Sequence, residues 1–193
     1  MKAYPQMPDY RLDLCESLAG SGPPDRQGSR SLERLNEAID LSSRLVDEYP
    51  KVPDYQSAQC RFFDRLGMQL LRSGKTDEAK IVYLEAFSRQ SHLVKQYPDV
   101  IAYSFWLSLI ERSLGEVFSK ESKLPEAKSY LKKAIDRAES LRKQAPHLGG
   151  IPPFLGMAYR DLADVLSRAG ETGPAAEARA KAERLPSPGR PKR

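Results

Sequence analysis

The sequence predicts an all-α protein built from about four helical hairpins, with eight helices in total. Similar residues recur every 48 positions along the chain, which is typical of repeat proteins. Within each repeat the apolar residues recur every three or four positions, which indicates amphipathic helices. No stretch alternates apolar and polar residues for long, and Asn-Gly and Asp-Gly turns are absent, so no strands are expected.

The N-terminal repeat, residues 1–53, is the least regular part of the pattern. Glycines and prolines at residues 20–24 end its first helix early, and Gly28 with Ser29 delays the second helix. We therefore expect a degenerate N-terminal repeat or cap that contains a mobile loop.

Three better-matched repeats are expected at residues 54–98, 99–146 and 147–185. In the first of these, a helix is expected to stop at Ser73 and Gly74, where glycine can adopt the left-handed conformation of a helix cap. Thr76 or Asp77 can cap a second helix, and Pro98 ends it.

The chain closes with a short basic segment, residues 186–193. This segment has three cationic side chains, three prolines and no acid, and we expect a disordered tail that is dispensable for folding.

A conserved spacing of aromatic and small residues runs through the repeats. In the repeat at 54–98 these residues are Phe63, Leu66, Gly67, Leu70, Ala79, Tyr83 and Ala86. Their order resembles the tetratricopeptide repeat (TPR) pattern of an aromatic, Leu-Gly, an aromatic, Ala, an aromatic and Ala. The resemblance implies a right-handed solenoid of helical hairpins, in which small residues let paired helices approach closely. The 48-residue period exceeds the family's usual 34 and looks like long arrays in some bacteria, which are often attached to serine/threonine kinases.

Two positions depart from the pattern. Glu111 takes the first aromatic place of its repeat, and Arg179 takes the place held by Leu35, Tyr83 and Leu131 in the other repeats. Because Arg179 can contribute only its aliphatic stem to a core, we expect the last helix to be the weak, capping end of the array.

Charge and hydropathy limit the possible classes of protein. The formal charge is +5, of which +3 belongs to residues 186–193, so the basic pI is weak evidence for a nucleic-acid surface on the folded part. The longest apolar run, residues 100–110, is too short to span a bilayer, and the N-terminus lacks the apolar stretch of a secretory signal. We expect a soluble, cytoplasmic protein without a membrane partner.

No pattern of catalytic or metal-ligating residues is found. The sequence Ser73-Gly74-Lys75-Thr76 resembles the end of a phosphate-binding loop, but it lacks the earlier glycine and the preceding strand, so it is interpreted as a turn. Cys15 and Cys60 occupy one repeat position and are interpreted as core residues. We therefore expect neither an enzyme, nor a cofactor, nor a metal ion.

The first helix of each repeat is expected to line a concave groove that binds a partner, as the fold resemblance implies. The residues predicted on this basic and aromatic face are Arg61, Arg65, Met68, Arg72, Phe105, Trp106, Leu109, Arg112, Lys120, Met157, Arg160 and Arg168. Core packing of Trp106, and a helix-dipole role for Arg72, Lys120 and Arg168, are alternatives.

The predicted function is a non-catalytic scaffold that binds a protein or peptide, with an acidic partner as one option. A peptide-carboxylate clamp of the kind known in the family is not expected, because the only asparagine, Asn36, lies outside the required places. The alternatives are a nucleic-acid-binding helical repeat protein, favoured only by the basic tail and the arginines, and a homodimerising scaffold.

Overall fold

The computed structural model describes residues 7–20 and 29–186, and the part of the chain so described contains eight α-helices and no strand. The helices are α1 (Pro8–Gly20), α2 (Ser29–Glu48), α3 (Pro53–Arg72), α4 (Thr76–Gln96), α5 (Ile101–Lys120), α6 (Leu124–Gln144), α7 (Ile151–Arg168) and α8 (Thr172–Glu183). The predicted all-α class with eight helices is confirmed. The predicted loop at residues 21–28 and the tail at 187–193 lie outside the described residues.

The chain divides into two compact units, residues 1–93 and 94–193. In the N-terminal unit, α1, α2 and α3 share a core that contains Cys15, Leu35, Ala38, Ala58 and Phe62. The expectation that both cysteines are buried is confirmed, since neither Cys15 nor Cys60 is exposed to solvent. Burial raises the pKa of the Cys60 thiol to about 12, so this thiol stays protonated near neutral pH.

Close approach of α3 and α4 depends on Gly67. A Cβ atom added at this position would lie 2.5 Å from Cζ of Tyr83, whose ring is almost fully buried. Only a residue without a side chain leaves room for that ring. The predicted pairing of a small residue on one helix with a large residue on the next is therefore present in this hairpin.

Polar contacts of Arg89 also join α3 to α4. The guanidinium of Arg89 lies over the ring of Phe63, 5.6 Å from the ring centroid. Nη1 of Arg89 also donates a hydrogen bond of 2.7 Å to Oε1 of the buried Gln59.

In the C-terminal unit, α6, α7 and α8 share the main core, onto which the half-buried Phe105 and Leu109 of α5 also pack. The largest fully buried side chains of this core include Leu131, Ile151, Phe154 and Leu155. Gly115 repeats the role of Gly67, because a Cβ atom there would lie 2.6 Å from Cγ of Leu131.

The aromatic place that Glu111 occupies is filled by a buried ion pair. The Glu111 side chain is 1% exposed, and both of its oxygens accept hydrogen bonds of 3.0 Å from Arg137 of α6. Bidentate pairing with a guanidinium satisfies a carboxylate that is withdrawn from water. Arg137 lies 48 residues after Arg89, so a guanidinium occupies the same repeat position in both hairpins.

The turn inside each of the last three hairpins has one geometry. Its positive-φ residue is Gly74, Ser122 or Gly170, with φ of 76°, 60° and 79°. In each turn a backbone N–H reaches back five residues at 2.9 Å, as from Lys75 to Leu70. The glycine cap predicted after α3 and the interpretation of residues 73–76 as a turn are confirmed, although α4 begins at Thr76 itself.

The linkers between hairpins also repeat. Tyr49 and Tyr55 contact each other edge to face with centroids 6.0 Å apart, and Tyr97 and Tyr103 do so at 6.1 Å. Backbone hydrogen bonds from residues 52, 100 and 148 to residues 49, 97 and 145 close the three linkers in the same way.

Helix α8 buries only small side chains, namely Ala175, Ala178 and Ala182. Arg179 remains outside the core with its side chain 56% exposed, and it donates a hydrogen bond of 3.0 Å to Oγ of Ser167. None of the eight helices in the described ranges combines the length and apolar character needed to cross a bilayer.

Candidate partner-binding surfaces

The four residues predicted on α3 all belong to the N-terminal unit. Arg61 is half-buried and forms an ion pair with Glu16 of α1. Arg65, Met68 and Arg72 are exposed, and Nη2 of Arg72 lies 3.5 Å from Sδ of Met68. Three exposed side chains therefore remain on this face of α3.

Three contacts spaced seven residues apart join α5 to α7 in the C-terminal unit. The ring of Phe105 meets Phe154 edge to face at 5.7 Å. Farther along, Nε of Arg112 lies 2.6 Å from Oδ2 of Asp161. Near the helix ends, Nη1 of Arg168 donates a hydrogen bond of 2.6 Å to Oγ of Ser119. Because a heptad keeps side chains on one side of a helix, the contacts form a single row. Arg112 and Arg168, both predicted to face a partner, each contact the neighbouring helix, and Arg168 stays exposed to solvent.

The ion pair between Arg112 and Asp161 is partly withdrawn from solvent, with side chains 24% and 31% exposed. Burial raises the pKa of Asp161, and this effect outweighs the attraction of Arg112, which lowers it. Desolvation of both groups limits what such a pair contributes to stability.

The predicted apolar residues of α5 and α7 are half-buried. Phe105, Leu109 and Met157 pack against the core of the C-terminal unit. Trp106 lies beside Phe105, with ring centroids 6.4 Å apart and the rings tilted by 55°. Part of each side chain packs against the protein and part remains at the surface.

The remaining predicted cations of the C-terminal unit are exposed. Lys120 approaches Glu116 of the same helix at 3.8 Å, and Arg160 points to solvent beside the exposed Asp164 of α7. Together with Asp161, these acids offset most of the positive charge predicted for the face of α5 and α7.

The sequence did not predict a groove that lies between α6 and α8. Its first part is a cleft of about 310 Å³, lined by Lys128, Lys132, Tyr159, Leu162, Leu166, Glu171, Pro174, Glu177, Ala178 and Lys181. Its second part is a cleft of about 450 Å³, lined by Glu139, Arg142, Lys143, Tyr159, Lys181, Arg184 and Leu185. The two clefts share Tyr159 and Lys181 and are called here the α6–α8 groove.

The groove exists because α8 has small side chains on its buried face. Where earlier helices have Leu35, Tyr83 or Leu131, α8 has Arg179, whose head lies outside the core. The sequence signal at this place is the alanine-rich composition of residues 174–182, which can close a gap between helices as well as leave one.

Groups suited to metal binding are missing from residues 7–20 and 29–186, where no cluster of three or more His, Cys, Asp or Glu side chains is found. The candidate surfaces instead offer apolar contacts and charged side chains, which suit recognition of a macromolecule.

Comparison with known proteins identifies the fold. No family model and no curated protein sequence matches the chain. Among solved structures, BtubC (BKLC) from P. vanneervenii is similar over all of this chain and 72% of its own, with a TM-score of 0.62 and 17% identity. The apo form of RapI is similar over 90% of this chain and 42% of its own, with a TM-score of 0.60 and 12% identity. The designed helical repeat protein DHR64 is similar over 92% of both chains, with a TM-score of 0.53 and 17% identity. The chain therefore has an all-α helical repeat fold.

Proposed function

We propose that this chain is a non-catalytic, cytoplasmic TPR-type interaction module with a 48-residue period, whose repeats span residues 54–98, 99–146 and 147–185. It binds a protein or peptide through exposed residues of α3 and through the face shared by α5 and α7. Support for the period comes from the turn residues at 74, 122 and 170 and from the close approach of helices at Gly67 and Gly115.

The observation that carries the proposal is the half-buried apolar set formed by Phe105, Trp106, Leu109 and Met157 beside the exposed Arg160. Aromatic residues, methionine and arginine are enriched where proteins contact one another, since they combine a large contact area with polar groups. The row of contacts between α5 and α7 holds these side chains on a rigid surface, which lowers the entropic cost of binding.

The experiment is an affinity capture with the intact chain, followed by quantitative mass spectrometry. The test variant carries Trp106→Ala and Arg160→Glu. The control variant carries Lys95→Glu, which reverses one exposed charge on α4, outside the α5–α7 face. Proteins that bind through the α5–α7 face are retained by the wild type and the control and are lost by the test variant.

Two outcomes would contradict the proposal. Retention of every captured protein by the Trp106→Ala and Arg160→Glu variant, with an unchanged melting temperature, would show that this face binds no partner. Capture of nucleic acid that falls steeply with salt would favour the nucleic-acid alternative, because counterion release dominates such binding.

A further inference from the structure

The α6–α8 groove has the dimensions of an extended peptide. Along α6 its lining runs from Lys128 to Lys143, and fifteen residues of helix rise by about 22 Å. An extended chain advances about 3.3 Å per residue, so a segment of about six or seven residues would fill this length.

The lining of the α6–α8 groove has more positive than negative charges. Among the residues that the structure describes, six cationic and three acidic side chains line the two clefts, which leaves three positive charges in excess. Two acids are already paired within the groove, Glu171 with Lys128 at 2.6 Å and Glu139 with Arg142 at 2.7 Å. Lys132, Lys143 and Arg184 are exposed and have no acidic partner among the described residues.

The floor of the groove is apolar. Leu162 and Leu166 of α7 and Ala178 of α8 line the first cleft between the charged side chains. Leu185 contributes an apolar side chain to the second cleft.

A peptide fits this lining better than a nucleic acid does. Single-stranded nucleic acids are bound by exposed aromatic rings on which bases stack. Among the described residues, Tyr159 is the only aromatic side chain that lines the two clefts. It is 7% exposed, and Nζ of Lys181 lies over its ring, 5.4 Å from the centroid.

We propose that the α6–α8 groove binds an extended acidic segment of a partner protein. Carboxylates of the segment pair with Lys132, Lys143 and Arg184, and its apolar side chains contact Leu162 and Leu166. This surface lies apart from the α5–α7 face residues, so the proposal holds or fails independently of the function proposed above.

The probe is a fluorescein-labelled octapeptide of alternating Glu and Leu, titrated with the full chain and followed by fluorescence anisotropy. Alternation directs carboxylates and apolar side chains to opposite sides of an extended chain. Reversing two charges with Lys132→Glu and Lys143→Glu is expected to weaken binding by about tenfold or more. The same peptide with Gln in place of Glu is expected to bind more weakly than the Glu peptide.

The matched control reverses the exposed Lys51 and Lys95 to Glu, which changes the net charge equally at residues that line neither the groove nor the α5–α7 face. This variant is expected to bind the peptide within about twofold of the wild type, since distant exposed charges are screened at physiological salt. Lys132→Gln with Lys143→Gln, checked by thermal melting, provides a milder variant should the double reversal impair folding.

Equal weakening by both double reversals would overturn the proposal, because it would show attraction by net charge alone. Absence of binding up to about 1 mM peptide would overturn it as well. Tighter binding of a single-stranded octanucleotide that displaces the peptide would replace the acidic segment with a nucleic acid.

Discussion

The hairpins α3–α4 and α5–α6 share one backbone geometry but use different chemistry where their helices meet. The small residues Gly67 and Gly115 face Tyr83 in one hairpin and Leu131 in the other. The guanidinium that comes from the second helix lies on an aromatic ring in α3–α4 and on a buried carboxylate in α5–α6. The comparison shows that both hairpins have a glycine and a guanidinium at the same repeat positions. The side chains that these two groups contact differ between the hairpins.

Breaking the buried ion pair is expected to give the largest effect. Arg137→Ala leaves the carboxylate of Glu111 buried without a partner, which should cost about 3–5 kcal/mol of unfolding free energy. Glu111→Phe recreates the aromatic contact found between Phe63 and Arg89 and should cost less than half as much. Urea unfolding of both variants measures the difference. Equal losses would mean that the two hairpins are not interchangeable at this position.

Filling the space between paired helices comes next. Gly67→Ala places a methyl group against the rigid ring of Tyr83 and should cost about 1–3 kcal/mol. Gly115→Ala should cost less, because the aliphatic side chain of Leu131 can move aside. Larger residues, as in Gly67→Leu or in Ala134→Phe at another fully buried site, should cost at least as much as Gly67→Ala.

Thermal melts of these variants are compared with Gly173→Ala, where an added Cβ meets no atom within 4 Å. If Gly67→Ala melted at the same temperature as Gly173→Ala, the close approach of α3 and α4 would not hold in solution.

The last hairpin extends the comparison to a helix with neither a large side chain nor a buried guanidinium. Residues 174–185 bury only alanines, whereas residues 77–97 bury Tyr83 and Leu93. Backbone amides of the former segment are expected to exchange with deuterium at least about tenfold faster. Equal protection would indicate that Arg179 is covered, as in a homodimer formed through α8.

The smallest effect concerns the turn. Ser122 has a positive φ of 60°, a conformation that glycine adopts without strain, whereas Gly74 already has glycine at the equivalent place. Ser122→Gly should therefore stabilise the chain by about 0.5–1 kcal/mol, and Gly74→Ser should destabilise it by a similar amount. Denaturant midpoints of the two variants, taken together, test whether the turns are equivalent.

Features set by local geometry could be predicted from the sequence, and features set by helix register could not. The turn at Gly74 needs a residue that adopts a positive φ, and the close approach at Gly67 needs a residue without a side chain. A glycine in the sequence therefore signals each of these features. Arg112 and Arg168 contact residues that lie 49 positions away on another helix. These contacts depend on how α5 packs on α7, which the sequence alone does not give. The α6–α8 groove likewise depended on packing, since a row of alanines can close a gap as well as leave one.

The buried carboxylate of Glu111 also bears on how a chain of similar hairpins avoids mispairing during folding. Repeat proteins are prone to exchange equivalent helices, because each helix presents nearly the same surface. The repeat position of Arg137 is occupied by Arg89 in α4. The equivalent positions in the first and last repeats hold Leu41 and Leu185. At this repeat position, only α4 and α6 therefore supply a cation that can neutralise Glu111. Docking of α5 on α2, or on the end of α8, would leave the carboxylate of Glu111 unpaired in an apolar contact. A single acidic residue thus discriminates against domain-swapped assemblies that apolar packing alone would tolerate.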